Sequence, residues 1–366
     1  MTRKLPRLLV VLLGVQLAAC RAPGPDHFPG PRWDRASRPE AVGWSGPELA
    51  EARAYADTID TAAVVVVHGG WIVDAWGEID RPFQCHSMRK SILSALYGIP
   101  GPDGPIDLDL TLGELGIDDR EPSLTETERG ATVRMLLEAR SGIYHPALYE
   151  TAGMKARRPK RGSHAPGTFW YYNNWDFNAA CTVFENLTGR SIYEAFERDL
   201  AGPLEMQDFR RAEHTHYVTG PDSVHPAYPF QLSARDLARF GLLCARGGRW
   251  KDKDIIPAAW LAESTRSYSD AGASGGYGYM WWVAAAGKHL RDAVIPDGSY
   301  SARGFRGHHV LVIPDGDVVI VHRVDTFTPD DEDRVTGAQF GRLVKLILEA
   351  KPAAPRTVRP ATEGGA

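Results

Sequence analysis

Ser87-Met88-Arg89-Lys90-Ser91-Ile92-Leu93 holds the only Ser-x-x-Lys of the chain, where a strand-rich opening gives way to an apolar helical run. Residues three apart are near neighbours on an α-helix. The spacing therefore predicts that the Ser87 hydroxyl and the Lys90 amine share one helix face if the helix starts near Cys85. A serine hydroxyl is a poor nucleophile until a base takes its proton, and a lysine at that distance supplies one. A chain of 366 residues contains on the order of one such tetrapeptide by chance, so the surrounding sequence has to decide.

Ahead of the tetrapeptide, residues 62–67 are apolar and β-branched, His68-Gly69-Gly70 is a turn signal, and residues 71–76 alternate. This predicts a hairpin leading straight into Ser87. A second hairpin is predicted near the far end from residues 309–313, the turn Pro314-Asp315-Gly316, and residues 317–324, with helical spacing following at 339–348. Between them, residues 133–139 (stopped by Ser141-Gly142), 177–187 and 192–200 carry helical apolar spacing. Ser233 is placed as the N-cap of a further helix, with Asp236 approximating a capping box. Strands at both ends and helices between predict an α+β fold: an antiparallel sheet built from both chain ends, flanked by helices, with an inserted mainly helical lobe.

Residues 1–20 carry Arg3, Lys4 and Arg7, then an apolar run, then Leu17-Ala18-Ala19-Cys20. They read as a signal peptide too short to remain as a membrane span. The ending resembles a bacterial lipobox, which implies lipidation of Cys20 as the first residue of the mature chain and a membrane anchor through its acyl chains. The competing reading is an ordinary secreted protein with an incidental Cys20. Arg21, rather than Asp, follows the cysteine, which resembles cargo sent to the outer membrane, so the expected location is the bacterial cell envelope, periplasmic side. Residues 21–43 are rich in Pro, Gly and charge and read as a tether, 44–350 as the domain, and 351–366 as a disordered tail.

Apart from Cys20 the chain has Cys85, Cys181 and Cys244, with no Cys-x-x-Cys, so neither a disulfide framework nor a zinc site is implied. Cys85, two residues from Ser87, reads as small buried packing rather than as a reactive thiol. His214 and His216 bracket Thr215 at a strand-pair spacing but lack further ligands nearby, and no metal or cofactor is expected. A net charge of −4 without a basic stripe argues against nucleic acid as a partner. Nothing in the sequence fixes an oligomeric state.

Pro166-Gly167 precedes an aromatic cluster, Phe169-Trp170-Tyr171-Tyr172, which taken alone reads as core. With Asn173-Asn174 added, the ordered set becomes familiar. The chain resembles the serine β-lactamase and penicillin-binding-protein superfamily, near the class C-like branch that also holds esterases, D-amino-acid-type peptidases and nylon-oligomer hydrolases. The segment from Ser87 to Leu93 is similar to the nucleophile helix; Thr132 to Leu137 with Ser141-Gly142, Tyr172-Asn173-Asn174, Gly247-Gly248-Arg249-Trp250 and residues 276–282 follow in the expected order. Tyr171-Tyr172-Asn173 is the competing register for the Tyr-x-Asn motif. The chain departs from the pattern at residues 299–309, where Lys-Thr-Gly or His-Thr-Gly is missing and Gly304-Phe305-Arg306-Gly307 resembles a Gly-x-x-Gly variant.

The resemblance implies that Ser87 forms an acyl-enzyme while Lys90 and Tyr172 share the proton work, either being the base. A positive Lys90 would favour phenolate character at Tyr172. Asn174 would position the substrate or Lys90. The amides of Ser87 and Phe305 would form the oxyanion hole, and Arg306 would replace the missing cation. His308 is placed with Asn174 and Arg306 in substrate binding, although satisfied edge-strand or loop histidines are the plainer reading of His308 and His309; His145 is a further candidate for the pocket. The expected function is a serine hydrolase of a small ester or amide, with no cofactor. The alternatives are a penicillin-interacting D-Ala-type peptidase or β-lactamase, and a non-catalytic envelope lipoprotein that binds cell-wall peptide or a protein partner.

Overall fold

The computed structural model describes residues 27–101, 104–327 and 334–351. The predicted signal peptide, Cys20, the first part of the predicted tether and all but the first residue of the predicted tail lie outside the described residues.

Five helices and eight strands position the site. They are α1 (Gly46–Ala56), β1 (Ala63–His68), β2 (Trp71–Gly77), α2 (Met88–Gly98), α3 (Asn174–Thr188), α4 (Ala234–Ala245), β3 (Ser269–Asp270), β4 (Gly276–Tyr277), β5 (Trp282–Val283), β6 (Tyr300–Gly304), β7 (His308–Ile313), β8 (Val318–Arg323) and α5 (Gly337–Glu349). The strands form one antiparallel sheet in the order β2-β1-β8-β7-β6-β5-β4-β3. The first and last hairpins therefore meet at β1 and β8, with Val65 opposite Val321 and Val66 opposite Ile320. Both are continuous apolar runs because both sheet faces are covered.

Alternation divides these strands between two cores. Val64, Val66, Leu311 and Ile320 face α1 and α5, packing with Leu49, Phe340, Leu343 and Val344. Val65, Val67, Val310 and Val321 face α2, α4 and the helical lobe, with Met88, Ile92 and Phe240. Each such valine contributes roughly 1.5–3 kcal/mol by leaving water. Helix α4 lies so close to the sheet that a Cβ at Gly241 would stand 2.4 Å from Val319 Cγ1. Ser233 caps α4 by accepting from the Asp236 amide, as predicted. Asp236 does not complete a capping box; its carboxylate accepts instead from the amides of Gln207, Asp208 and Phe209 and ties a loop to the helix.

The tether reading is corrected for residues 27–43, which pack on the domain. Ile72 of β2 donates to Asp34 O at 3.0 Å and Ala36 donates to Ile72 O at 2.9 Å, so extended backbone covers the outer edge of the sheet. Trp33 Nε1 donates to Arg235 O at 2.9 Å, Arg239 Nη2 donates to Gly30 O at 2.7 Å, and Phe28 meets the Trp250 ring edge-on at 5.4 Å. Gly70 is required there: it has φ +81, and a Cβ would lie 2.0 Å from His27 O. At the other end Lys351 Nζ donates to Gly316 O, so Lys351 also belongs to the body.

Candidate active site

Residues Phe83–Gln84 pair with Gln231–Leu232, and the Cys85 amide donates to Phe230 O at 2.8 Å. This fixes the chain up to His86, which turns into α2 with φ +46. Ser87 is the N-cap of α2, so the helix starts three residues later than the sequence suggests, and the Lys90 amide still closes the first turn on Ser87 O at 3.1 Å. Cys85 is buried packing, its thiol pushed up chiefly by burial.

The structure brings three predicted residues together around a buried amine. Lys90 is 1% exposed, and its Nζ donates to Tyr172 OH at 2.6 Å and to Asn174 Oδ1 at 2.8 Å. The Tyr172 and Phe177 rings lie 4.0 and 4.2 Å from Nζ, while Trp282 stacks on Tyr172 at 5.5 Å. The register is thereby set as Tyr172-Asn173-Asn174. Tyr171 points elsewhere, donating to Met154 O, and Asn173 caps α3 by accepting from the Trp175 amide.

The shifts of Lys90 and Tyr172 run against the expected cation and phenolate. Burial first, and then the Arg89 guanidinium, lower the Lys90 amine well below the ordinary lysine value. Burial pushes Tyr172 up to about 12, opposed by the hydrogen bond from Ser87 and the charge of Arg89. No carboxylate hydrogen-bonds to Lys90 among the described residues, so its desolvation is offset only by neutral acceptors and ring faces. Both shifts favour the uncharged forms of the pair.

Strand β6 passes against the chain just before Ser87. A Cβ on Gly304 would stand 2.7 Å from Cys85 O and 2.9 Å from His308 Cβ, so only glycine permits this approach. Phe305 follows directly. It lines, with Ser87, Tyr172 and Asn174, a cavity of about 560 Å³.

Two predicted substrate-binding residues are corrected. Arg306 sits in the β6–β7 turn with φ +65, its guanidinium 5.1 Å from the Phe305 ring, and does not line the cavity. Arg303 does line it. It packs 4.9 Å from the Trp282 ring and donates to Ser301 Oγ and His289 O, both at 2.9 Å, and burial lowers its pKa to about 9. Counting back by two from Phe305 along a strand reaches Arg303, which is the signal that was available. His308 is wholly buried on β7, where its Nδ1 accepts from Arg323 Nε at 3.0 Å. His309 stacks on Phe340 at 3.8 Å, and His145 lies 3.8 Å from Glu128 rather than in the cavity.

Sequence reasoning missed His86, Tyr149, Glu150 and Trp282 as lining residues. His86 and Tyr149 owe their places to left-handed backbone, φ +46 and +66, which a tyrosine does not signal and a histidine signals only weakly. His86 Nε2 lies 2.8 Å from Thr326 Oγ1.

A family model described as Beta-lactamase matches residues 48–340. No curated protein matches the chain by sequence. Among solved structures the chain is similar to a Bacillus anthracis protein provisionally named a 6-aminohexanoate-dimer hydrolase, at 20% identity and TM-score 0.63, covering 91% of each chain. It is also similar to a penicillin-binding protein homolog from Caulobacter crescentus, at 14% identity and TM-score 0.60 over 84% of this chain and 99% of that one. A third similar structure is EstCE1, a hydrolase with promiscuous acyltransferase activity, at 14% identity and TM-score 0.59 over 83% of this chain and 98% of that one. At these identities the likeness is one of fold.

Proposed function

This chain belongs to the Beta-lactamase family, and on that premise we propose that it hydrolyses a small ester or amide through an acyl-enzyme on Ser87. The observation that carries the reading is the buried Lys90 amine bonded to Tyr172 and Asn174, which line one cavity with Ser87. As Ser87 Oγ attacks the substrate carbonyl carbon, its proton passes to the Tyr172 oxygen while the proton of Tyr172 passes to the neutral Lys90 amine. The pair acts as one coupled base. The carbonyl oxygen becomes an oxyanion facing the amides of Ser87 and Phe305. Collapse of the tetrahedral adduct breaks the bond to the leaving group, which takes a proton from Tyr172 as Lys90 returns one. Water then repeats the cycle on the acyl-serine, releasing the acid and restoring Ser87.

Arg303 supports a substrate that carries a carboxylate. Its hydrogen bonds go to Ser301 and His289, neither acidic, so a cation lines the cavity without an acidic partner among the described residues. The same cation keeps the penicillin-interacting reading alive, because it supplies near the third motif what the missing Lys-Thr-Gly removes. Turnover of short p-nitrophenyl esters and p-nitroanilides by wild type, but not by Ser87→Ala, is the expected result. Turnover by neither protein would overturn the proposal. Rapid hydrolysis of a cephalosporin reporter would shift it to the β-lactamase alternative, and failure to hydrolyse the reporter or to form a stable penicillin adduct would remove that alternative.

A further inference from the structure

We propose that Thr326 is a positioning residue for the acylation step: its hydroxyl fixes the tautomer and orientation of the His86 ring, and that ring sets the spacing of the Ser87 and Phe305 amides. The inference rests on the reading of those two amides as the oxyanion hole. The hydrogen-bonded string begins at a buried cation. Arg323 is wholly buried, and its Nη atoms donate to Leu232 O, Phe83 O and Gln84 O at 2.8, 2.8 and 2.9 Å, so the direction of its Nε–H is fixed. That N–H donates to His308 Nδ1 at 3.0 Å. A guanidinium only donates, so His308 Nδ1 is bare and the neutral ring carries its proton on Nε2. Burial first, and then Arg323, hold His308 neutral.

The string continues through Thr326, just beyond β8. His308 Nε2 lies 3.5 Å from Thr326 Oγ1, which in turn lies 2.8 Å from His86 Nε2. With a lone pair turned to the His308 N–H, the hydroxyl has its proton for His86, whose Nε2 accepts and whose Nδ1 carries the ring proton. Burial and then the charges of Arg323, Arg89 and Arg306 bring His86 to about 4, which keeps that acceptor bare at neutral pH. The ring so held stands between two turns. It meets the Phe305 ring edge-on at 5.8 Å, and a Cβ on Gly304 would lie 3.5 Å from His86 Cβ. On the other side His86 immediately precedes Ser87 in left-handed backbone, which persists only where its surroundings impose it. The two amides are thus each one residue from a group that the His86 side chain adjoins. Such donors act through placement, and a displacement of about 1 Å costs up to about 10²-fold in rate.

The test uses the full chain carrying Thr326→Val, which removes the hydroxyl and keeps the shape, and Thr326→Ser, which returns it. On a p-nitrophenyl ester the valine variant is expected to lose about tenfold or more in kcat with KM within about twofold of wild type, because oxyanion donors act on the transition state. The serine variant is expected to recover most of that loss. Long-range nitrogen–proton NMR of the imidazoles, with the His86 signals assigned by their loss in His86→Asn, is expected to show Nδ1 protonated and Nε2 bare in wild type and a mixture of tautomers in Thr326→Val. An unchanged kcat in a folded valine variant, or a serine variant as slow as the valine, would overturn the inference. If the valine variant does not fold, the wild-type spectrum decides, since a proton on His86 Nε2 contradicts the string. A wild type that hydrolyses no ester is instead a failure of the proposed function, because the spectrum is read without turnover.

Discussion

In the proposed mechanism Lys90 takes up a proton because burial favours its uncharged form. A solvated lysine holds its proton at neutral pH, whereas here desolvation and the neighbouring Arg89 charge favour the neutral amine. Lys90→Ala is expected to lower kcat/KM by about 10³-fold or more, and Tyr172→Phe by about 10²-fold or more, in steady-state ester hydrolysis. The active form of Lys90 is deprotonated, so kcat/KM rises with pH through its pKa, and the acid limb is expected well below the ordinary lysine range. Removing a nearby cation favours protonated Lys90, so Arg89→Met is expected to move that limb to higher pH. An unmoved limb would show that Arg89 does not tune the base. At this scale motif spacing picked out Ser87, Lys90, Tyr172 and Asn174, and the structure places Tyr172 and Asn174 on the Lys90 amine beside the cavity that Ser87 lines. The sequence did not disclose their protonation, which depends on burial, nor Glu150, whose place follows from the backbone of Tyr149.

The strands and the glycines between them set the geometry that these residues require. Gly304→Ala is expected to push β6 away from Cys85 and to slow acylation by fluorophosphonate about 10²-fold or more while the protein remains folded. Buried His322 lies on β8, and half-buried His86 lies at the turn into α2. Burial brings both His86 and His322 to about 4, and the Gly307 carbonyl only partly offsets this at His322. A histidine with its folded pKa below its unfolded value contributes stability that is present above about 6.5 and lost as pH falls toward 4. His322 alone accounts for ~3 kcal/mol. The thermal midpoint is therefore expected to drop between pH 6.5 and 4, and less steeply in His322→Gln. The two terminal hairpins were legible because β-branched runs flank turn residues. The role of residues 27–43 was not, because Phe28 and Trp33 are scattered among Pro and Gly without a period and gain order only from packing. A chain beginning at Trp44 is expected to melt several degrees below one beginning at His27, as measured by circular dichroism.

Across the whole molecule, strands from both ends of the chain close one sheet, and the helical lobe inserted between them brings Tyr172 and Asn174 to the helix that carries Ser87 and Lys90. The α+β architecture was readable from strands at the ends and helices between. Arg303 rather than Arg306, three residues on, lines the cavity, because β6 ends at Gly304 and its register is set by its partners β5 and β7 rather than by its own residues. We also propose that the chain is anchored in the cell envelope through Cys20; Cys20→Ser is then expected to release the protein into the soluble fraction of its native host. The central claim is an activated serine, and intact mass after incubation with a fluorophosphonate tests it most directly. Wild type is expected to gain the mass of one probe molecule and Ser87→Ala none. An unlabelled wild type, or an equal gain on Ser87→Ala, would contradict the account.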